Sequence, residues 1–110
     1  MRYGKERTLR GQLIGRFQMI QSDIAEMATA IDASGALVYM AAYYMDQNLP
    51  PNRMAAIAKF CASQTAELCA DKAMQIFGGY GLAKEYRVAW LRSYADLFST
   101  GEGSANVQKF

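Results

Sequence analysis

Three short stretches of this sequence hold residues whose types and spacing could do chemistry. The first is Tyr3-Gly4-Lys5-Glu6-Arg7-Thr8-Leu9-Arg10-Gly11, basic and set just before a long helical pattern. Arginines beside a helix N-terminus suit a pyrophosphate, through bidentate hydrogen bonds and the positive end of the helix dipole. The same composition also describes a frayed, solvated chain end. The second is Gln75-Ile76-Phe77-Gly78-Gly79-Tyr80-Gly81, whose glycines let a ligand come close to the backbone. It reads equally as a helix stop followed by a tight turn. It is neither a Walker loop nor a dinucleotide fingerprint, because no Gly-Lys-Ser/Thr follows and no strand precedes it. The third is Gly101-Glu102-Gly103-Ser104. A carboxylate between glycines has little steric cover, so a substrate can reach it, and desolvation raises such a group toward the pKa a general base needs. Taken singly, it is also an ordinary solvated loop glutamate.

Composition narrows the chemistry further. The chain has no histidine, which removes Ser-His-Asp triads, Cys-His dyads and imidazole metal sites, and no metal site is expected. Twelve Lys and Arg against ten Asp and Glu leave a net charge of +2, too weak for a dedicated nucleic-acid binder. Cys61 and Cys69 would lie about 12 Å apart on one helix, too far for a disulfide, so both are expected reduced and buried, as in an intracellular protein. No signal peptide or membrane span is expected: residues 1–16 are basic, and the apolar stretch 33–45 is short and broken by Ser34 and Gly35.

The elements that must position these residues are helical. With 110 residues, 52% of them hydrophobic, the chain can build one domain with a core. Leu13, Phe17, Ile20, Ile24, Met27, Ile31, Ser34, Val38, Ala41 and Met45 recur at alternating steps of four and three, which predicts one amphipathic helix over 11–47, roughly 50 Å long. Arg16, Ser22, Asp23, Glu26 and Thr29 form its opposite face. Tyr39, Met40, Tyr43 and Tyr44 make its second half apolar on another side, which calls either for subunit contacts or for a place at the centre of its own bundle. Pro50-Pro51 makes the turn into an alanine-rich helix over 52–77, ended by Gly78-Gly79-Tyr80-Gly81. A third helix is predicted over 86–98, and Ser104 is placed to cap a short fourth. No strand is expected. The architecture is all-α, an antiparallel up-and-down four-helix bundle whose fourth helix looks cut off. Charge is uneven: residues 1–16 carry net +4, residues 17–47 carry four negative charges and no positive, and the rest carries net +2.

In order, the three stretches resemble the C-terminal helical domain of the acyl-CoA dehydrogenase family over nearly the whole chain. The likeness rests on the opening Tyr…Glu-Arg…Gly segment, Gln18, Ala25-Glu26-Met27, the 75–81 motif, Glu85-Tyr86, and Glu102-Gly103-Ser104 in place of the family's Glu-Gly-Thr. The chain departs from the family pattern at Arg10, Arg87, Ser93-Tyr94 and Gly101.

The resemblance implies oxidation of an acyl-CoA thioester to the trans-2-enoyl-CoA with FAD, in fatty acid metabolism, and electron transfer to an electron-transferring flavoprotein. It makes Glu102 the base that removes the α-proton and puts Gly103 against the acyl-CoA. Arg7, Gln18, Gln75, Gly78 and Gly79 match contacts to the FAD of a neighbouring subunit, and Ser104 and Asn106 match contacts to the FAD of the same subunit. Hydrogen bonds to the thioester oxygen come, in the family, from the backbone N–H of the catalytic glutamate and a flavin hydroxyl. A homodimer or homotetramer in the bacterial cytoplasm or mitochondrial matrix is implied. Residues 1–110 are then one domain of a larger enzyme, inactive and without tightly bound FAD when alone. The alternatives are a non-catalytic helical assembly module, a divergent subunit, or a relative of the acyl-CoA oxidases.

Overall fold

The structure is a computed structural model that describes residues 2–101 and residue 104. The fold is all-α, an elongated bundle of 56 × 23 × 20 Å. A short helix α1 (Arg2–Glu6) leads to an antiparallel hairpin of β1 (Thr8–Leu9) and β2 (Gln12–Leu13), then to α2 (Gln18–Asp46), α3 (Asn52–Phe77) and α4 (Val88–Thr100). The short fourth helix expected from Ser104 onward lies outside the described residues.

The hairpin corrects the expectation of no strand and of a helix starting at residue 11. Arg10 and Gly11 both have positive φ, 49° and 78°, the backbone that closes a two-residue hairpin. Thr8 pairs with Leu13 and Leu9 with Gln12. A 3-10 turn at Ile14–Arg16 follows, so α2 begins only at Gln18. Gly15 packs directly on Gly4: a Cβ there would stand 2.8 Å from the Gly4 carbonyl oxygen.

α2 ends in a Schellman turn. Asn48, at φ 54°, occupies the left-handed position, Leu49 N–H donates to the Tyr44 carbonyl at 2.9 Å, and Asn48 N–H donates to that of Met45 at 3.1 Å. The two prolines then start α3, whose bounds are those the sequence predicts. α4 runs two residues later than predicted at both ends.

The helices pack antiparallel. α3 lies between α2 and α4 and meets them through small side chains; Ala41 of α2 with Met54 and Ala58 of α3 forms a buried cluster, flanked by Leu37, Tyr44 and Ile57. Among the described residues, no large side chain is completely buried. The predicted apolar seam is only partly covered. Ser34 and Ala41 are buried, whereas Ile31, Val38 and Met45 are exposed, because the rows facing α3 are those of 34, 37, 41 and 44. Tyr39, Met40 and Tyr43 are also exposed. Cys61 and Cys69 are free but half-buried rather than buried.

Asp23 and Glu26, assigned from sequence to the face opposite the apolar seam, hold Lys72 of α3. Its Nζ lies 2.6 Å from Asp23 Oδ1 and 2.8 Å from Glu26 Oε2. Hydrogen bonds to Asp23 first and Glu26 second raise the Lys72 pKa above its ordinary value, against the smaller opposing effect of burial. The folded state therefore holds this proton more tightly than the unfolded chain does. The link stabilises fully below the ordinary lysine range and fades as pH rises through the raised value. Urea unfolding between pH 7 and 11 is expected to show an alkaline loss of stability that is smaller in Lys72→Met.

Candidate functional site

The N-terminal segment is fastened to the end of α3 by aromatic rings. Tyr3 stacks on Phe77 with centroids 4.0 Å apart and planes 13° from parallel. Tyr86 meets both rings edge-on, at 5.8 and 5.2 Å, and Tyr80 meets Tyr86 edge-on at 6.3 Å. Offset and edge-on aromatic pairs of this kind add to the area they bury. The cluster makes a rigid floor at the junction of α1, α3 and the 3-10 turn Gly78–Leu82.

Arg7 lies on that floor. Its guanidinium carbon is 4.6 Å from the Tyr80 ring centroid, a cation–π contact, and the residue is exposed. Its backbone is held from both sides: Arg7 N–H donates to the Tyr3 carbonyl and Ile14 N–H donates to the Arg7 carbonyl, each at 2.9 Å. Gly78 caps α3 with φ 56° and ψ −140°, a conformation that favours glycine, and both Gly78 and Gly79 are exposed with open space where a Cβ would stand. Gln75 is exposed on the last turn of α3, and Gln18 is exposed as the first residue of α2. The Asp23–Lys72 pair sets the register that brings these two helix ends to the same end of the bundle.

Arg7, Gln18, Gln75, Gly78 and Gly79 thus share one end. An exposed cation on an aromatic face, exposed amides and bare glycine backbone can receive a flat, anionic ligand. Tyr80, which holds the arginine, was not singled out by sequence reasoning; its place inside the glycine motif was the available signal.

Of the second predicted set, only Ser104 falls among the described residues, and Gly101 precedes it. α4 runs back along α3, so Gly101 comes to rest against Lys59. Lys59 Nζ donates to the Phe98 carbonyl at 2.7 Å and to the Gly101 carbonyl at 3.1 Å. Gly101 N–H donates to the Leu97 carbonyl at 2.7 Å, closing the helix end. Lys59 precedes Gly78 by 19 residues on α3, so Gly101 and the glycine motif are separated by about 28 Å along the helix. Ser104 is half-buried. Glu102, Gly103 and Asn106 lie outside the described residues. Arg92 ties α4 to α3 through Asp71, 2.7 Å from its Nη1, and pairs within α4 with Asp96, 3.4 Å from its Nη2.

Between α2, α3 and α4 lies a cavity of about 560 Å³, walled by apolar side chains including Ile24, Met27, Ile31, Leu91 and Phe98. Cys69 lines it, and burial pushes its thiol pKa up, which keeps it protonated and a poor nucleophile. No Asp, Glu, Lys or Arg lines this cavity among the described residues; its titratable lining residues are Tyr3, Cys69 and Tyr94. No helix among the described residues is long and apolar enough to cross a membrane.

Residues 1–109 match the sequence pattern of the family described as acyl-CoA dehydrogenase, C-terminal domain. The caffeyl-CoA reductase-Etf complex subunit CarC of Acetobacterium woodii is 44% identical over 110 residues, which is 99% of this chain and 29% of that protein. Butyryl-CoA dehydrogenase from Megasphaera elsdenii has a structure that superposes with a TM-score of 0.95 at 39% identity, over 98% of this chain and 28% of its own. The FAD complex of PigA superposes with a TM-score of 0.93 at 25% identity, again over 98% of this chain and 28% of its own. The chain therefore spans less than a third of the length of these relatives.

Proposed function

From the premise that this chain belongs to the acyl-CoA dehydrogenase family, as its C-terminal helical domain, we propose that it works within a larger flavoenzyme that oxidises an acyl-CoA thioester to the trans-2-enoyl-CoA. The observation that supports the reading is the gathering of Arg7, Gln18, Gln75, Gly78 and Gly79 at one end of the bundle, exposed and open to an anionic ligand from outside the chain.

The residues at the first end suit FAD. Arg7, exposed and backed by Tyr80, offers its guanidinium to the pyrophosphate of the neighbouring subunit's FAD. Gln18 and Gln75 offer side-chain amides, and Gly78 and Gly79 offer backbone without steric cover. Ser104 and Asn106 hold the FAD of the same subunit, and Gly103 lines the acyl-CoA site. Bound FAD supplies the acceptor for the β-hydride. Glu102 takes the α-proton, and its backbone N–H donates to the thioester oxygen as charge develops there. Electrons pass on to an electron-transferring flavoprotein, a partner that the name of the Acetobacterium relative includes. The exposed face of α2 around Tyr39, Met40 and Tyr43 packs against other subunits in a homodimer or homotetramer.

Joined to the flavin-holding domains of the family, the chain is expected to sediment as a dimer or tetramer, retain yellow FAD and lose that colour on mixing with acyl-CoA. The 110-residue chain alone is expected to do neither of the last two. Stoichiometric flavin on the isolated chain, or a joined enzyme that acyl-CoA fails to bleach, overturns the reading.

A further inference from the structure

We propose that Tyr80 is a positioning residue for Arg7: its ring face holds the guanidinium ready for the pyrophosphate, and this hold slows the release of FAD. The inference rests on the reading of Arg7 as a contact to FAD and goes beyond it by naming the group that steadies the arginine.

An arginine alone on a surface is a poor clamp. Its long side chain samples many rotamers, and fixing one of them on a ligand costs entropy. A neighbouring carboxylate steadies such a side chain but occupies the N–H donors that a phosphate needs. An aromatic face steadies it without taking a single N–H, because the cation is attracted to the ring quadrupole rather than to a lone pair. Arg7 has the second arrangement. Its guanidinium carbon stands 4.6 Å from the Tyr80 ring centroid. Among the described residues no carboxylate pairs with it, and the adjacent Glu6 lies 3.6 Å from Arg2 instead.

The ring is itself held. Gly81, the next residue, is buried against the end of α3, where a Cβ would stand 3.2 Å from Phe77 Cβ and 3.3 Å from Met74 Sδ. The Tyr80 carbonyl accepts from Ala83 N–H at 3.1 Å. Tyr86 meets the Tyr80 ring edge-on and also meets the stacked rings of Phe77 and Tyr3. The Tyr3 carbonyl in turn accepts from Arg7 N–H. The contacts therefore close a circuit: from the Arg7 backbone to Tyr3, through Phe77 and Tyr86 to Tyr80, and back to the Arg7 guanidinium. Backbone and side chain of one arginine are both fastened to one aromatic cluster, while the residue stays exposed to a ligand.

The test is a double-mutant cycle in the joined flavoenzyme, with two readouts. FAD release is followed by recovery of flavin fluorescence on dilution. In the flavin-free enzyme, the rate at which phenylglyoxal modifies Arg7 is followed by peptide mass spectrometry. Tyr80→Leu is expected to release FAD about threefold to fivefold faster, the scale of an exposed cation–π contact. Arg7→Met is expected to release it about thirtyfold faster, the scale of lost charge-assisted hydrogen bonds. The variant carrying both Tyr80→Leu and Arg7→Met is expected to match Arg7→Met within about twofold, because the ring acts through the arginine. Phenylglyoxal is expected to modify Arg7 about threefold faster in Tyr80→Leu. Tyr80→Phe, which keeps the ring face, is expected to match the parent in both readouts. Should Tyr80→Leu not fold, Tyr80→Met is expected to give the same pattern. Parental FAD release in Tyr80→Leu overturns the proposal. So does a double variant that releases FAD faster than Arg7→Met by the full Tyr80→Leu factor, and so does an unchanged rate of Arg7 modification. Parental FAD release in Arg7→Met instead overturns the underlying reading of Arg7, and the modification rates show separately whether Tyr80 holds the side chain.

Discussion

Glu102→Gln in the joined enzyme is expected to bleach its flavin about a thousandfold more slowly than the parent, within the range general-base catalysis supplies. The substitution keeps the size and the backbone N–H of Glu102 and removes only the ability to accept a proton. Affinity for acyl-CoA should therefore stay within about threefold, which separates loss of chemistry from loss of binding. Stopped-flow absorbance of the flavin measures the first quantity and a titration of the spectral shift the second. A variant that bleaches at the parental rate places the base on another residue. A variant that neither binds nor bleaches shows that the carboxylate's charge serves the structure rather than the reaction.

Gly78→Ala is expected to cost about 1–3 kcal/mol of stability, the usual penalty for forcing a side chain into a backbone region that disfavours it. Nothing stands within 4 Å of the position its Cβ would take, so the whole penalty comes from φ 56° and ψ −140° rather than from a clash. Gly79 supplies the control. Its Cβ would also enter open space, and its φ is not positive, so Gly79→Ala should stay within about 0.5 kcal/mol. Urea denaturation of the two variants tests the contrast. The same strain displaces Tyr80, the ring beneath Arg7, so Gly78→Ala should also release FAD faster from the joined enzyme.

Much of the fold was legible because its punctuation is strong. The proline pair and Gly78 mark both ends of α3, and the alanines along it foretell close helix contacts. The start of α2 was not legible. A strand of two residues is too short to alternate, and arginine seldom takes the positive φ that Arg10 adopts, so the turn hid inside an apparently continuous helical period. The partner of Asp23 and Glu26 was not legible for a related reason: a carboxylate that faces a lysine on the next helix is indistinguishable, one chain segment at a time, from one that faces water. The candidate site divides the same way. Arg7 and the glycine motif announce themselves locally, whereas Tyr80 beneath the arginine and Lys59 against the end of α4 act through contacts dozens of residues apart, which no short window contains.

The alanine-built contact between the helices bears on how this domain should respond to heat. With no large side chain completely enclosed among the described residues and many aromatic and aliphatic ones facing outward, the three long helices gain little cohesion from one another. Cohesion of that kind grows when copies or adjoining domains associate, so the melting point becomes a property of the assembly. It should climb with protein concentration and with cofactor saturation, and a thermal scan then measures quaternary occupancy as much as it measures the fold.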